Sequence, residues 1–466
     1  MSEIAGRTLA EELSELLGLG RVSVEAAAIA EHSTDKWFAT HLPDVVVFAE
    51  STEDVSRLLK FCSARGIPVT PRGSGVGYVG GCVPLRGGVA LSLARMNRIL
   101  EISNEDGVAV VQPGVITGKL QAAVKERGMM YPPDPASLKE CSLGGNIATN
   151  AGGPRCLKYG VTRHYVLGLE VVLADGTVMR TGGRCHKNKT GFDLIGMFVG
   201  SEGMLGVVTE ATLRLIPHPE SRATISTSFG KFTEAAAAVQ AVLGSGFHPA
   251  ALEIADKFTL EAARDYLGEG VVPDGEAHLM IELDGHAESV ALESAKLMAL
   301  LKSRGALSME LADTEAGCEH LWGLRREFSY SLRATGLTKL NEDVVVPRGR
   351  LVDLVNFAEE LQKECGMPIA CFGHAGDGNI HVNIMVKDIE NDEVRARSDE
   401  VLDRLFRRVL EWDGVISGEH GIGIAKKRWF AEAVGEVSGD VHIRLKRALD
   451  PGNILNPDKF LARAGE

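Results

Sequence analysis

The chain has 466 residues, of which 45% are hydrophobic and 24% are charged, and its formal net charge is −13. This length exceeds that of one ordinary domain, so we expect two or three domains of a soluble globular protein. The excess of acidic residues argues against nucleic acid as a partner. It does not exclude a small anionic substrate, because a local cationic pocket decides that.

The chain lacks the sequence features of a membrane-spanning or secreted protein. No uncharged run reaches about 18 residues, so no transmembrane helix is predicted. Residues 1–18 carry acidic side chains where a signal peptide would have a basic and then an apolar stretch. We therefore expect a cytoplasmic protein, and we leave open that a partner attaches it to the membrane surface.

The eight cysteines are scattered along the chain and include no CxxC pair. Their spacing suits neither a zinc ribbon nor an iron–sulfur cluster, so we expect reduced thiols. The chain alone then holds no cluster that could carry electrons away.

The N-terminal third alternates helical and strand patterns. Residues 8–32 have helical spacing of leucines and alanines, and residues 45–48 form a short apolar run. A helix is predicted over 53–65, with Ser51 or Thr52 as its cap, and a strand over 67–70.

A glycine-rich segment, PRGSGVGYVGG, follows at residues 71–81. It contains the GxGxxG spacing of a Rossmann fold, but that motif must open a helix. Here Pro84 and a Gly-Gly pair come next, followed by a strand-like run at 89–93, so we predict a strand–loop–strand arrangement. Backbone N–H groups bared by glycines can hold a pyrophosphate. The alternative is a glycine turn with a purely structural role.

Two more stretches of small residues follow, at 132–153 and 200–206. We expect them to form glycine loops that let a large, flat ligand lie against the backbone. Strands are predicted over 166–173 and 207–215. The pattern changes at Pro217-His218-Pro219, where we place a domain boundary. Strands and helices then alternate to residue 304, which predicts an α/β sandwich with an antiparallel sheet.

Two histidine motifs lie in the last quarter of the chain. The first runs from His374 to His381 through a Gly-Asp-Gly turn that can bring the two imidazoles together, and the second contains Glu419 and His420. On a strand, His381 and Asn383 would share one face while the aliphatic residues between them face the other way. Two imidazoles and one carboxylate suit Zn²⁺ or another divalent transition metal. Taken alone, these residues also fit a metal hydrolase, and each histidine could instead be structural.

The glycine-rich segments, together with PPDPAS, GGNIATNAGG, KYG and GSEGMLG, resemble the FAD-binding domain of the vanillyl-alcohol oxidase / p-cresol methylhydroxylase superfamily. GHAGDGNIH and SGEHGIG resemble the branch of D-lactate dehydrogenase, the flavin-containing subunit of glycolate oxidase and D-2-hydroxyglutarate dehydrogenase. The resemblance covers about residues 35–460. It implies an α+β fold with a two-part FAD-binding domain of the p-cresol methylhydroxylase type (1–217), an α/β cap domain with an antiparallel sheet (218–415) and a C-terminal segment (416–466) that returns to the FAD domain.

The resemblance implies FAD as cofactor. Some relatives attach the flavin to a histidine in the first glycine loop, but residues 71–81 contain none, so we expect non-covalent FAD. His164 and His186 are interpreted as surface or structural residues. The positions that match the FAD-binding motifs are Pro71, Arg72, Gly73, Ser74, Gly75, Val76, Gly77, Gly80, Gly81, Pro135, Gly144, Gly145, Asn146, Asn150, Gly152, Gly153, Tyr159, Gly160, Glu202, Gly203, Gly206, Val207 and Val208.

The resemblance also implies roles in the chemistry. His374, His381 and Glu419 are the metal ligands, with zinc expected and manganese, iron or cobalt as alternatives. A metal bound by the hydroxyl and carboxylate of a 2-hydroxy acid stabilises the forming alkoxide, and His420 can take the hydroxyl proton.

The substrate carboxylate needs a cationic partner, and the segment around Arg325 matches a family segment whose first arginine has this role. Ser329 lies one helical turn further on. Lys339 is the candidate for a family lysine before Asp343, although its spacing to Asp343 differs from some relatives. Asn383 is the fourth expected substrate contact. Five further basic residues are predicted to lie on solvated helix faces: Arg326, Arg333, Lys426, Lys427 and Arg428.

The expected activity is the FAD- and metal-dependent oxidation of a D-2-hydroxy acid, D-lactate or glycolate. D-2-hydroxyglutarate is the alternative substrate, and an oxygen-using oxidase or a flavin subunit of an electron-transfer complex are alternative classes. Reduced FAD must pass electrons to a separate acceptor, which in relatives is an iron–sulfur subunit, an electron-transfer flavoprotein, a cytochrome or a quinone. A homodimer is left open.

Overall fold

The computed structural model describes residues 7–268 and 270–461. Within these ranges the chain forms two compact units. The first comprises residues up to Ala151, Val161–His218 and the chain from Glu419 onward, and the second comprises Gly152–Gly160 and Pro219–Gly418. The domain limits expected from the sequence remain a prediction.

The helices, in chain order, are α1 Leu9–Leu17, α2 Ala26–Glu31, α3 Thr52–Arg65, α4 Thr117–Lys125, α5 Leu143–Thr149, α6 Cys156–Tyr159, α7 Leu194–Phe198, α8 Phe232–Gly244, α9 Lys257–Leu267, α10 Ala287–Ser303, α11 Glu315–Ala334, α12 Leu351–Cys365, α13 Asp392–Glu411, α14 Lys427–Val434 and α15 Glu436–Leu449. The strands are β1 Val22–Ser23, β2 Val45–Phe48, β3 Val69–Arg72, β4 Val89–Ser92, β5 Ile99–Ser103, β6 Val108–Val111, β7 Met129–Met130, β8 Val166–Val172, β9 Val178–Gly182, β10 Val207–Arg214, β11 Ile216–Pro217, β12 Ser221–Phe229, β13 Ala251–Ala255, β14 Ala277–Gly285, β15 Ser308–Ala312, β16 Thr338–Val345, β17 Ile369–His374 and β18 Asn379–Val386. Among the described helices, none is both long and apolar enough to cross a bilayer.

A small sheet of the first unit has the strand order β1-β2-β4-β3, with β4 parallel to both β2 and β3. The predicted helix at 53–65 is confirmed as α3, and its cap is Ser51. The Ser51 hydroxyl accepts from the amide of Asp54, and the Asp54 carboxylate accepts from the amide of Ser51. The buried Leu58 and Leu59 of α3 belong to the same core cluster as β2 and β4.

The helical pattern predicted for residues 8–32 is interrupted. Helix α1 ends at Gly18, whose φ of 102° lies outside the helical range. Val22 and Ser23 then pair with β2 as the edge strand β1, and α2 begins only at Ala26. The prediction of a continuous pattern was wrong because tertiary pairing with β2 overrides local propensity.

The larger sheet of the first unit has the order β5-β6-β10-β8-β9 and is antiparallel. It contains both strands predicted between residues 166 and 215. The second glycine-rich stretch is not a loop throughout, because residues 143–149 form α5. The hydroxyl of Ser142 caps this helix by accepting from the amide of Gly145.

The second unit contains a seven-stranded sheet of order β15-β12-β14-β13-β17-β18-β16. All its pairings are antiparallel, which confirms the predicted sheet type. Helices α9 and α11 pack on one face, where Phe328 of α11 shares a hydrophobic core with Phe372 of β17. This face, called the polar face below, also carries the polar residues of β16, β17 and β18.

Candidate functional site

The first glycine loop connects β3, which ends at Arg72, to β4, which begins at Val89. The predicted strand–loop–strand arrangement is therefore confirmed. Gly75 and Gly80 have φ values of 68° and 70°, which L side chains rarely adopt. In the described ranges, the backbone amides of residues 74–77 donate to no other residue. They are donors available to a bound anion.

A Cβ would collide with neighbouring side chains at two glycines of this loop. A Cβ on Gly73 would lie 2.4 Å from the hydroxyl of Ser142, and a Cβ on Gly75 would lie 2.0 Å from the guanidinium of Arg72. That guanidinium donates to the carbonyl of Thr34 at 2.6 Å and lies 3.2 Å from the Cys82 sulfur. Arg72 therefore organises the loop from inside.

The second histidine motif packs against this loop. The imidazole of His420 lies over the ring of Tyr78, with 5.3 Å between the ring centroids. The amide of Ile424 donates to the carbonyl of Val79 at 2.7 Å, and a Cβ on Gly423 would lie 2.3 Å from the same oxygen. The backbone contact thus fixes the position of the predicted base relative to the first glycine loop.

Glu202 was predicted to contact the cofactor, but its carboxylate accepts hydrogen bonds from the second histidine motif. The side chain is buried and accepts from the amides of Ile422 at 2.7 Å and Gly423 at 2.9 Å. Burial raises the pKa of this carboxyl, whereas the two amides act in the opposite direction. Its backbone lies in the left-handed region at φ 49°. Glu202 thus holds the segment that carries His420.

Several other residues predicted to bind the cofactor have structural contacts. The buried Asn146 donates to the hydroxyl of Thr117, and Asn150, at φ 52°, accepts from the amide of Arg163. Tyr159 belongs to the second unit, where its hydroxyl donates to Asp284 at 2.7 Å. The remaining predicted cofactor residues of the second unit are Gly152, Gly153 and Gly160. Their role toward the cofactor stays a prediction.

The first histidine motif forms the hairpin of β17 and β18, as its Gly-Asp-Gly turn predicts. His374 and His381 lie on the polar face with 5.5 Å between their ring centroids. Both are largely buried, at 6% and 7% exposure. Asn383 follows on the same face and is fully buried.

Sequence reasoning missed Glu253 on β13, which is 1% exposed. One carboxylate oxygen lies 2.6 Å from Nδ1 of His374, and the other accepts from Arg325 at 2.7 Å. Burial alone would raise the pKa of Glu253, but the nearby His374 and Arg325 lower it to about 2. By holding Nδ1, the carboxylate fixes the orientation of the His374 ring. An acid inside the apolar run Ala-Leu-Glu-Ile-Ala was the available signal.

Glu419 directly follows Gly418, which is anchored within the second unit. The amide of Gly418 donates to the carboxylate of Asp343 at 2.9 Å, and Asp343 is the cross-strand partner of His381. One ligand atom from each of His374, His381 and Glu419 lies within 4.8 Å of the others. Two imidazoles and one carboxylate can hold one divalent metal ion.

The predicted substrate contacts on the polar face surround Phe372. The Arg325 guanidinium lies 4.8 Å and the Lys339 amine 5.9 Å from the centre of its ring. Lys339 donates to the hydroxyl of Ser329 at 2.9 Å. Phe372 is also the cross-strand partner of His381. Phe372 itself was not predicted, since only the strand register shows that it lies between the cations and the histidine.

One charge prediction is wrong. Lys426 was expected on a solvated helix face, but it is 1% exposed and precedes α14. It lies near the buried carboxylate of Glu202, whose charge it offsets. A buried lysine is tolerated when an opposite charge is close.

Comparison with known proteins identifies the family. Residues 218–460 match the C-terminal domain of FAD linked oxidases, and residues 43–182 match an FAD binding domain. The chain is 41% identical to glycolate oxidase subunit GlcD of Bacillus subtilis (strain 168), over 91% of this chain and 90% of that protein. It is 36% identical to D-lactate dehydrogenase of Anaerostipes hadrus, over 90% and 89%. The chain belongs to the family of FAD-linked oxidases.

The fold agrees with this membership. A solved structure of p-cresol methylhydroxylase with substrate bound has a TM-score of 0.79 at 23% identity and covers 97% of this chain and 96% of that one. The predicted fold class and family resemblance are confirmed. This FAD-linked oxidase is an oxidoreductase. The backbone amides of residues 74–77, which donate to no other described residue, are suitable donors for the anionic pyrophosphate of FAD.

Proposed function

We propose that the protein is an FAD- and divalent-metal-dependent dehydrogenase that oxidises a D-2-hydroxy acid, D-lactate or glycolate, to the 2-oxo acid. The observation that carries the proposal is the set of His374, His381 and Glu419, together with the buried Arg325 and the half-buried Lys339 beside Phe372, the cross-strand partner of His381. A hydroxy acid offers a hydroxyl and a carboxylate, which suit a metal and a cation respectively. Relatives named for glycolate and D-lactate chemistry support it.

We assign FAD to the first glycine loop and to the predicted small-residue segments that follow it. Bound FAD supplies the acceptor for the hydride that leaves the substrate α-carbon. The loop contains no histidine at residues 71–81, so attachment is non-covalent. Arg72 keeps the loop in shape, and the amides of residues 74–77 bind the anionic part of the cofactor.

We assign the metal to His374, His381 and Glu419. Two nitrogens and one oxygen are a donor set that suits zinc with a position open for substrate, and manganese, iron or cobalt are alternatives. Such a metal stabilises negative charge on the substrate hydroxyl oxygen. Glu253 fixes the ring of His374 by binding its Nδ1.

We assign the base to His420. Its imidazole accepts the proton of the α-hydroxyl while the α-carbon C–H bond breaks and the C=O bond forms. The two electrons of that C–H bond leave with the hydride. Contact with Tyr78 and the backbone bonds of residues 422–424 hold the ring in place. An imidazole held within reach of the hydroxyl is an efficient general base.

We assign carboxylate binding to Arg325 and Lys339, with Ser329 and Asn383 as polar contacts. Arg325 shares its charge with Glu253, whereas the Lys339 amine donates to the neutral hydroxyl of Ser329. The alternative substrate, D-2-hydroxyglutarate, carries a second carboxylate and would need both cations that lie beside the ring of Phe372.

FAD bound at this site would need a separate acceptor for the electrons taken from the substrate. The candidates are an iron–sulfur subunit, an electron-transfer flavoprotein, a cytochrome or a quinone. One relative is itself named as a subunit of glycolate oxidase, which supports a protein partner and keeps the flavin subunit of a larger complex as an alternative. The proposal includes a cytoplasmic location and leaves open both membrane attachment through that partner and a homodimer.

The test is anaerobic reduction of the flavin by a panel of D- and L-2-hydroxy acids, with metal analysis of the same sample. D-lactate or glycolate should bleach the flavin, and chelation should stop the bleaching until a divalent ion is restored. His420→Ala should slow bleaching about 10²–10⁴-fold while FAD and metal stay bound. His286→Ala, an exposed histidine of the second unit, is the control. Full activity of metal-free protein would refute the metal role, and normal bleaching by the His420 variant would refute the base.

A further inference from the structure

Asn341 and Asn383 form a second row of polar residues on the polar face, two residues along the strands from the row of Asp343 and His381. Asp343 is the cross-strand partner of His381, and Asn341 is the partner of Asn383. Two residues along a strand span about 7 Å, so the asparagine pair lies that far from the histidine row. Lys339 comes next on β16, on the same face.

Both asparagines of this row have a carboxamide oxygen without a hydrogen bond in the described ranges. Asn383 is fully buried, and its amide nitrogen is already committed to the carbonyls of Ala370 and His381, both at 3.0 Å. These two bonds fix which end of the carboxamide is oxygen. A buried acceptor left without a hydrogen bond destabilises the folded protein. Two such oxygens on paired residues indicate a hydrogen-bond donor on a ligand.

The amine of Lys339 indicates which charged group the ligand carries. Its hydrogen bond within the described ranges goes to the neutral hydroxyl of Ser329, and no carboxylate pairs with it there. Arg325, in contrast, has Glu253 as its counterion at 2.6 Å. A partly buried cation with a neutral partner indicates an anion on the ligand.

We propose that the substrate is a D-2-hydroxy monocarboxylate with a second hydroxyl beyond the α-carbon. That hydroxyl donates to the carboxamide oxygens of Asn341 and Asn383, and the carboxylate pairs with Lys339. The second hydroxyl is unchanged, because the hydride and proton leave the α-carbon and α-hydroxyl as above. This inference rests on the proposed function and narrows its substrate class.

The competing side chains fit this row less well. An alkyl substituent, as in D-lactate, offers no donor and leaves both oxygens unpaired. A second carboxylate would place an acceptor against two acceptors, although Lys339 would offset part of that repulsion. A hydroxyl can donate to a carboxamide oxygen and accept from the lysine at the same time.

The experiment compares kcat/KM for D-2,3-dihydroxypropanoate and for D-lactate, its analogue without the second hydroxyl, with an artificial dye as acceptor. D-malate is the dicarboxylate arm. The wild-type enzyme should prefer the dihydroxy acid by about 10-fold or more, since a site built to bind a hydroxyl discriminates against the analogue that lacks it. Asn341→Leu should bring this ratio close to one, and Asn341→Ala repeats the test with a smaller side chain.

Asn356→Leu makes the same chemical change on the exposed side of α12 and should keep the wild-type ratio. A wild-type ratio near one, a preference for D-malate or an unchanged ratio in both Asn341 variants would overturn the inference. If D-lactate still reduces the flavin in those cases, the proposed function stands and only the substrate class fails. If none of the acids reduces it, the proposed function fails as well.

Discussion

The two units build their binding groups from different parts of the chain. The first glycine loop offers backbone amides, and its shape depends on Gly73 and Gly75, where a Cβ would collide with Ser142 and Arg72. The polar face of the second unit offers buried side chains, and each buried charge there has only a few neighbours that can offset it. Glu253 alone serves both His374 and Arg325.

This difference predicts two kinds of failure. A backbone-built loop is sensitive to added atoms and indifferent to most changes of charge. A side-chain cluster is sensitive to the loss of one charge, because a buried partner is then left unpaired. Variants of the first glycine loop should therefore release FAD, and variants of the polar face should weaken metal or acid binding while FAD stays bound.

The largest effect is expected from Glu253→Gln. The amide keeps the shape but removes the charge that orients His374 and offsets Arg325. Loss of such a partner behind a metal ligand weakens metal affinity about 10–100-fold. Equilibrium dialysis of the FAD-loaded protein against zinc measures this directly, and the flavin absorbance should stay unchanged.

Glu282→Gln is the matched control for this change. Glu282 is equally buried in the same unit and accepts from Arg155 at 2.8 Å and from Trp322 at 2.7 Å. Its loss should lower thermal stability and leave zinc affinity as in the wild type. Equal zinc losses in both variants would mean that Glu253 contributes only to the stability of the unit.

A smaller effect, on the other region, is expected from Gly423→Ala. The new Cβ would lie 2.3 Å from the carbonyl oxygen of Val79, and the residue has a φ of 48°. The oxygen belongs to the backbone of the first glycine loop, so relief requires the loop to move. We expect a cost on the order of 1–3 kcal/mol and faster loss of FAD on dilution, with zinc affinity retained.

Gly435→Ala is the control that separates the effect of backbone strain from the effect of a steric collision. Gly435 has a φ of 76°, but a Cβ there meets nothing within 4 Å. It should lose some stability and keep FAD. If the two alanine variants lose FAD at the same rate, the contact between residue 423 and the loop has no part in cofactor binding.

Local pattern was enough to predict parts of each region. Pro84 and the glycines after it exclude the helix that a Rossmann fold needs, so the strand–loop–strand arrangement followed from sequence. The Gly-Asp-Gly turn predicted that His374 and His381 lie side by side. Both predictions depend on residues close together in the chain.

The sequence did not allow us to predict which buried charges contact each other when they are far apart in the chain. Glu253 lies 121 positions before His374, and only the register of β13 with β17 brings them together. The same limit applies to Lys426, whose burial depends on Glu202 more than two hundred residues earlier. A single sequence reports which side chains are polar but not which opposite charge folding will place beside them.

The smallest effect concerns the pH dependence of Lys339. Burial, with the charges of Arg333 and Arg325, lowers the pKa of this amine from 10.5 to about 7. Between these values the unfolded chain holds a proton that the folded chain has lost, so the free energy of unfolding rises with pH. Below pH 7 both states hold the proton and the slope disappears. Lys339→Met removes this contribution.

The free energy of unfolding of the wild type minus that of Lys339→Met should therefore become more positive from about pH 7 toward pH 10. Acid binding should follow the opposite trend, because the neutral amine no longer attracts a carboxylate. Chemical denaturation across this range measures the first trend, and KM for D-lactate the second. Glycolate, which shares only the carboxylate and the α-hydroxyl, should show the same rise in KM. A difference in stability that stays flat with pH would mean that the lysine keeps its proton in the folded protein, and KM should then stay constant as well.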